Sequence, residues 1–147
     1  MTNEKKRARI EEVYARSKRL FASVPELTVD ELDRLAASTD VVLVDVRAAK
    51  EQAISMIPGA VTAREFESSS SLYSGRTVVA YCTVGHRSGL YAKKLLDRGW
   101  QAFNLKGAIL AWTHADRDLE IEGVATRRVH VAGPKWSLEA DGYEPVW

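Results

Sequence analysis

The residues best placed to do chemistry lie in one short run, Tyr81-Cys82-Thr83-Val84-Gly85-His86-Arg87-Ser88. An apolar stretch ends at Tyr81 and a helical pattern begins near Ser88, so the run predicts a loop joining a strand to a helix. Such a loop can curl until its backbone N–H groups point inward. Together with the N-terminus of the next helix they make an anion cradle. Gly85 permits the positive φ that the curl needs, and Arg87 adds a permanent cation with forked donors suited to an oxyanion. The thiolate is the nucleophilic form of cysteine, and helix N-termini and cations favour it. Cys82 is therefore the candidate nucleophile, at the floor of an anion pocket formed by Thr83, Val84, Gly85, His86 and Arg87. The competing reading is a buried, inert cysteine; the glycine and arginine at these spacings argue against it. His86, an acid–base side chain inside the loop, could tune Cys82 or touch a second substrate, although an exposed position without a role is the simpler reading. Ser88 is expected to cap the helix that follows.

The loop needs a sheet to hold it. Val41-Val42-Leu43-Val44-Asp45-Val46 and Thr77-Val78-Val79-Ala80-Tyr81 are β-branched runs, apolar on both faces, and read as central parallel strands. Ile57 to Val61 predicts a turn and a short strand, Ser68 to Ser71 with Gly75 a polar loop, and Gln101 to Leu105 another strand. Helices are expected over residues 88–98, closed by Gly99, and over Gly107–His114, with Trp112 in the core. Thr28 with Glu31 forms a capping box for a further helix. Alternating strands and helices predict an α/β domain with a parallel sheet, whose ligand site lies beyond the carboxyl ends of its strands. Asp45 and Arg47, at such an end, read as buried polar support for the loop, and Arg87 could pair with a buried carboxylate, either Asp45 or Glu51.

Composition excludes more than it identifies. The chain has 147 residues, enough for one domain with a sizeable core. A single cysteine excludes an intrachain disulfide, and with only three histidines, none at metal-ligand spacing, neither a metal nor a cofactor is expected. The net charge of +1 gives no whole-chain reason to expect nucleic acid. No apolar run could span a bilayer, the N-terminus lacks a secretory apolar stretch, and a cytoplasmic chain with a reduced thiol is expected. The charge is uneven, however. Residues 1–24 read as a basic amphipathic helix, with Ile10, Val13, Tyr14, Leu20 and Phe21 on its apolar face and Pro25 ending it. It is expected to dock on its own domain. Residues 116–147 hold a candidate strand at Arg128–Val131 and the aromatics Trp136, Tyr143 and Trp147, which are expected to pack on the domain. These two segments are the surfaces open to a homodimer or a protein partner.

Cys82-x-x-Gly85-x-Arg87-Ser88 resembles the active-site loop of single-domain rhodaneses, the thiosulfate sulfurtransferase family. Asp45-Val46-Arg47 with Glu51, then Ile57-Pro58-Gly59-Ala60, then Gly99-Trp100 with Leu105-Lys106-Gly107-Ala108 and Trp112 resemble further signatures in the expected order. The resemblance covers residues 25–115. It implies a three-layer fold with a central five-stranded parallel sheet flanked by helices. It also implies that Cys82 takes the outer sulfur of a small donor such as thiosulfate as a persulfide and passes it to an external thiol, or to cyanide. Asp45, Arg47, Glu51 and Ser88 are then loop support. Two departures are visible: Ser55-Met56 replace the Gly-His common before Ile-Pro-Gly-Ala, and Gln52 replaces an aromatic residue. The alternative is a non-catalytic, regulatory rhodanese-fold interaction module. A cysteine phosphatase or arsenate reductase is disfavoured, because those loops carry one residue more between cysteine and arginine than Thr83–His86 provides.

Overall fold

In the computed structural model, which describes residues 1–147, the apolar runs become strands of one parallel sheet. They are β1 (Glu26–Leu27), β2 (Val41–Asp45), β3 (Val61–Thr62), β4 (Thr77–Tyr81) and β5 (Ala102–Leu105), in the order β1-β5-β4-β2-β3. β4 is central: it pairs with β2 from Val41↔Thr77 to Asp45↔Tyr81, and with β5 from Val78↔Ala102 to Ala80↔Asn104. Every residue of β4 is buried, which explains its unbroken apolar run. Its side chains alternate between faces. Val79 and Tyr81 join Leu27, Leu32, Leu105 and Ile109 on one side; Val78 and Ala80 join Val42, Val44, Phe66 and Leu95 on the other.

Helices on both faces complete three layers. α2 (Val29–Ser38) and α6 (Ala108–His114) cover the first face, α4 (Ala63–Ser68) and α5 (His86–Asp97) the second, and α3 (Ala49–Gln52) is a single turn after β2. α2 starts at the expected capping box: Glu31 N–H donates to Thr28 Oγ1 at 3.2 Å and Thr28 N–H to the Glu31 carboxylate at 3.0 Å. α4 is unannounced by apolar periodicity. It precedes the serine run and begins at Thr62, whose hydroxyl accepts from Glu65 N–H at 3.0 Å. Trp112 is half-buried at the core's edge, with Arg117 stacked on its ring.

α1 (Asn3–Lys18) stops at Lys18 rather than running to Pro25, and a 3₁₀ turn, Arg19–Phe21, follows. Ile10, Tyr14 and Phe21 are buried as expected. Leu20 is not: the tighter 3₁₀ winding leaves it 46% exposed. Two glycines of α5 and its loop let this segment approach. A Cβ on Gly85 would lie 2.7 Å from the Tyr14 ring, and one on Gly89 would lie 2.4 Å from the Phe21 ring. Gly89→Ala therefore has two opposed effects. Alanine favours the helix by about 1 kcal/mol, whereas overpacking a core costs about 1–3 kcal/mol. Phe21 is only 1% exposed and cannot swing away, so the clash wins. Gly89→Ala is expected to lower the melting temperature by about 4 °C; a rise would show that Phe21 does not sit there.

The C-terminal segment crosses the first face. β6 (Leu119–Ile121) and β7 (Val124–Thr126) form an antiparallel hairpin through Glu122-Gly123, both at positive φ as a two-residue turn requires. β8 (Arg128–His130) pairs parallel with β9 (Glu144–Val146). Tyr143 is buried in the first-face core, and Trp136 packs beside Ile10, Leu110, Val131 and Leu138. Trp147 departs from the expectation: at the chain end beyond β9 it is 63% exposed. No helix is long and apolar enough to cross a membrane.

Candidate active site

The loop from Cys82 to Arg87 leaves the carboxyl end of β4, between the ends of β2 and β5, and feeds α5. Neighbouring elements hold it in place. The backbone N–H groups of Ile109 and Leu110, in the first turn of α6, donate to the carbonyls of Cys82 and Thr83, both at 3.2 Å. Asn104 of β5 donates through Nδ2 to the Gly85 carbonyl at 2.9 Å and accepts from Ser88 Oγ at 2.7 Å. Tyr14 packs on Gly85, which holds φ at +127°.

Cys82 is a free thiol, 2% exposed, at the floor of this loop. The Gly85 N–H donates to its Sγ at 3.2 Å. Ser88 Oγ lies 3.3 Å from Sγ, but its one proton belongs to the much shorter contact with Asn104. Ser88 thus sits inside the first turn of α5 as a link between the thiol and Asn104, and Gly85 is the capping residue. Small and polar at a buried position, Ser88 finds better partners there than at the cap. The first N–H groups of α5 have no intrahelical acceptors and form the positive end of the helix beneath the sulfur.

Arg87 meets Glu51, not Asp45. Its Nη1 donates to Oε2 at 2.7 Å and its Nη2 to Oε1 at 2.9 Å, while Thr83 Oγ1 accepts from Nη2 at 3.0 Å. The Ala48 N–H completes Glu51's partners at 2.8 Å. Burial alone would raise the Glu51 carboxyl, but the Arg87 fork and the Ala48 N–H hold it at about 2 against an ordinary 4.5. Because the folded value is depressed, the pair's contribution to stability is complete above pH 4.5 and is lost as pH falls through about 2. The stability difference between wild type and Glu51→Gln is therefore expected to be flat from pH 7 to 5 and to shrink below 4.5. A difference unchanged down to pH 3 would contradict the pairing.

Asp45 is taken by a separate buried network. Arg47 Nη2 donates to it at 2.8 Å with both side chains fully buried, the Arg47 N–H adds 2.9 Å, and the Tyr81 hydroxyl donates at 2.5 Å. Arg47 also reaches the Ser55 carbonyl at 2.6 Å. Burial and Asp45 push the Tyr81 phenol well above its ordinary value, so it remains a donor. Gln52 donates through Nε2 to the Asp45 and Arg47 carbonyls, at 3.2 and 3.0 Å. Ser55 Oγ donates to the Arg128 carbonyl at 2.6 Å, tying this network to β8.

Above Cys82 opens a cleft of about 580 Å³, lined by Lys50, Glu51, Thr83, Val84, His86 and Arg87 from the expected site and its surroundings. His86 is exposed and its Nδ1 meets Ser17 Oγ of α1 at 2.9 Å. Sequence reasoning missed the remaining walls: Val13 and Ser17 of α1, and His130, Ala132 and Trp136 of the C-terminal segment. It also missed Asn104 and Tyr81. A polar residue inside the apolar run of β5 was the available signal for Asn104; nothing in the sequence joins His130 to Cys82. No cluster of potential metal ligands is present.

A family model described as Rhodanese-like domain matches residues 28–115. A sulfurtransferase of Allochromatium vinosum is 39% identical over 83 residues, which are 54% of this chain and 78% of the relative. Among solved structures, a rhodanese-like domain protein from Staphylococcus aureus superposes with a TM-score of 0.57 at 29% identity, covering 68% of this chain and 100% of that one. A Rhodopseudomonas palustris protein of unknown function, described as a possible tyrosine phosphatase, superposes at 0.59 with 25% identity, covering 76% and 93%.

Proposed function

This chain belongs to the rhodanese-like domain family, and from that premise we propose that it is a sulfurtransferase that carries sulfane sulfur on Cys82. The observation that carries the reading is the thiol itself: it lies at the cleft floor, receives the Gly85 N–H, and stands at the N-terminus of α5. In the first half-reaction the Cys82 thiolate attacks the outer sulfur of a donor such as thiosulfate. The Sγ–S bond forms, the donor S–S bond breaks, and sulfite leaves with the pair. The Gly85 N–H and the helix terminus stabilise the negative sulfur, with preorganised donors worth about 3 kcal/mol each. Lys50 and Arg87 line the cleft that the anionic donor enters. In the second half-reaction an external thiol, or cyanide, removes the sulfur. With a single cysteine in the chain no internal thiol can discharge it. Asp45, Arg47, Glu51 and Ser88 act as support for the loop, and a reducing, cytoplasmic compartment suits the lone thiol.

The neighbour described as a possible phosphatase calls for a direct comparison of chemistries. Only Thr83, Val84, Gly85 and His86 separate cysteine from arginine, and Arg87 is already paired with Glu51, which leaves a small loop for a tetrahedral ester. Initial rates with thiosulfate and cyanide varied together are expected to give the parallel double-reciprocal lines of a ping-pong reaction. Intersecting lines, or faster turnover of an aryl phosphate, would overturn the proposal.

A further inference from the structure

One wall of the cleft over Cys82 comes from residues outside the family match, and it contains an acid–base group that the loop chemistry does not use. His130 ends β8, where pairing with Val146 of β9 fixes its backbone. Its side chain is 12% exposed and lines the same cleft as Cys82, Lys50, Glu51 and Arg87. Its Nδ1 is buried without a hydrogen-bond partner and stands 3.7 Å from Glu51 Oε1. We infer that His130 is the base that takes the proton of a neutral thiol acceptor as that thiol discharges the Cys82 persulfide. The inference rests on the sulfurtransferase reading and names the acceptor class that the cleft serves: a thiol still protonated at working pH.

Elimination and orientation carry the argument together. Glu51 is spent on the Arg87 fork and the Ala48 N–H. Asp45 is fully buried against Arg47 and Tyr81. His86 also lines the cleft, but it is exposed to solvent and its Nδ1 is tied to Ser17. Only His130 combines a place in the cleft with a free ring. The Glu51 carboxylate favours the tautomer with its proton on Nδ1, which leaves the Nε2 lone pair to accept. Burial disfavours the imidazolium; Glu51 favours it, and Lys50, Arg47 and Arg87 oppose it. Together these hold the ring below its ordinary value, so it is neutral and able to act as a base near pH 7.

The step balances without a further reactant. The acceptor S–H bond breaks and its proton goes to His130. The acceptor sulfur attacks the terminal sulfur of the persulfide. The Sγ–S bond breaks with its pair returning to Cys82, and His130 then releases the proton to solvent.

The test separates the half-reactions. Wild type, His130→Asn and His130→Gln are each loaded with excess thiosulfate, freed of donor, and mixed with 2-mercaptoethanol or with sulfite, which attacks as an anion. At pH 7 the variants are expected to discharge to the thiol about 10²-fold more slowly than wild type, the size of a general-base contribution. The deficit is expected to fall within about threefold with sulfite, and also with the thiol at about pH 9.5, where a large share of it is already thiolate. Thiol discharge within threefold of wild type at pH 7 would overturn the role of His130. Equal slowing with both acceptors at every pH would also overturn it, as a structural effect only. Failure of the wild type to load sulfur would overturn the persulfide reading itself, and this inference with it.

Discussion

Cys82→Ser is expected to lose sulfur transfer from thiosulfate to cyanide by about 10³-fold or more, because the hydroxyl cannot replace the thiolate as nucleophile and sulfur carrier. The loss is chemical rather than structural. The serine hydroxyl would occupy the place of Sγ, with the Gly85 N–H at 3.2 Å and Ser88 Oγ at 3.3 Å as ready partners. Its stability is therefore expected to stay within about 1 kcal/mol of wild type. Thermal melts of both proteins beside their initial rates make the comparison. A variant that keeps more than a tenth of the activity while melting normally would remove Cys82 from the reaction.

The second large effect belongs to the network behind the loop. Asp45→Asn keeps the shape of the side chain and removes its charge, leaving the fully buried Arg47 guanidinium without its counter-ion. Breaking such a pair from one side costs about 3–5 kcal/mol, a large part of the about 5–15 kcal/mol that holds a domain together. Arg47 has no alternative. Its Nη1 is already without a partner, its Nη2 serves the Ser55 carbonyl, and Glu51 is committed to Arg87. The urea midpoint is expected to fall by about 2 M. A fall of less than about 0.5 M would mean that the buried pair contributes little.

How far these features were legible in the sequence depends on how local their causes are. β2 and β4 announce themselves because packed layers cover both faces of the sheet, so Val41–Val44 and Val78–Tyr81 run apolar without a break. The Thr28–Glu31 box and the Gly85 turn are local chemistry with local signals. Arg87's partner is different. Asp45 and Glu51 are equally plausible from spacing, and the choice falls to Glu51 only because Arg47 folds back on Asp45 two residues away. Ser88 carries the right residue type for a cap, yet Asn104, from another strand, draws it inward. Leu20 fits a helical face until the helix tightens into a 3₁₀ turn. The parallel pairing of β8 with β9, which puts His130 at the cleft, joins segments with no shared pattern. Most of the fold and the loop were readable because neighbours in sequence make them; the cleft walls were not, because the two ends of the chain make them.

The central claim, that Cys82 carries sulfur as a covalent persulfide, is tested most directly by mass spectrometry of the protein after brief exposure to thiosulfate. The predicted result is a gain of about 32 Da, one sulfur atom, on the peptide containing Cys82, reversed by cyanide and absent from Cys82→Ser. An unchanged mass under conditions in which cyanide is converted to thiocyanate would contradict the account, because sulfur would then move without resting on the chain's single thiol.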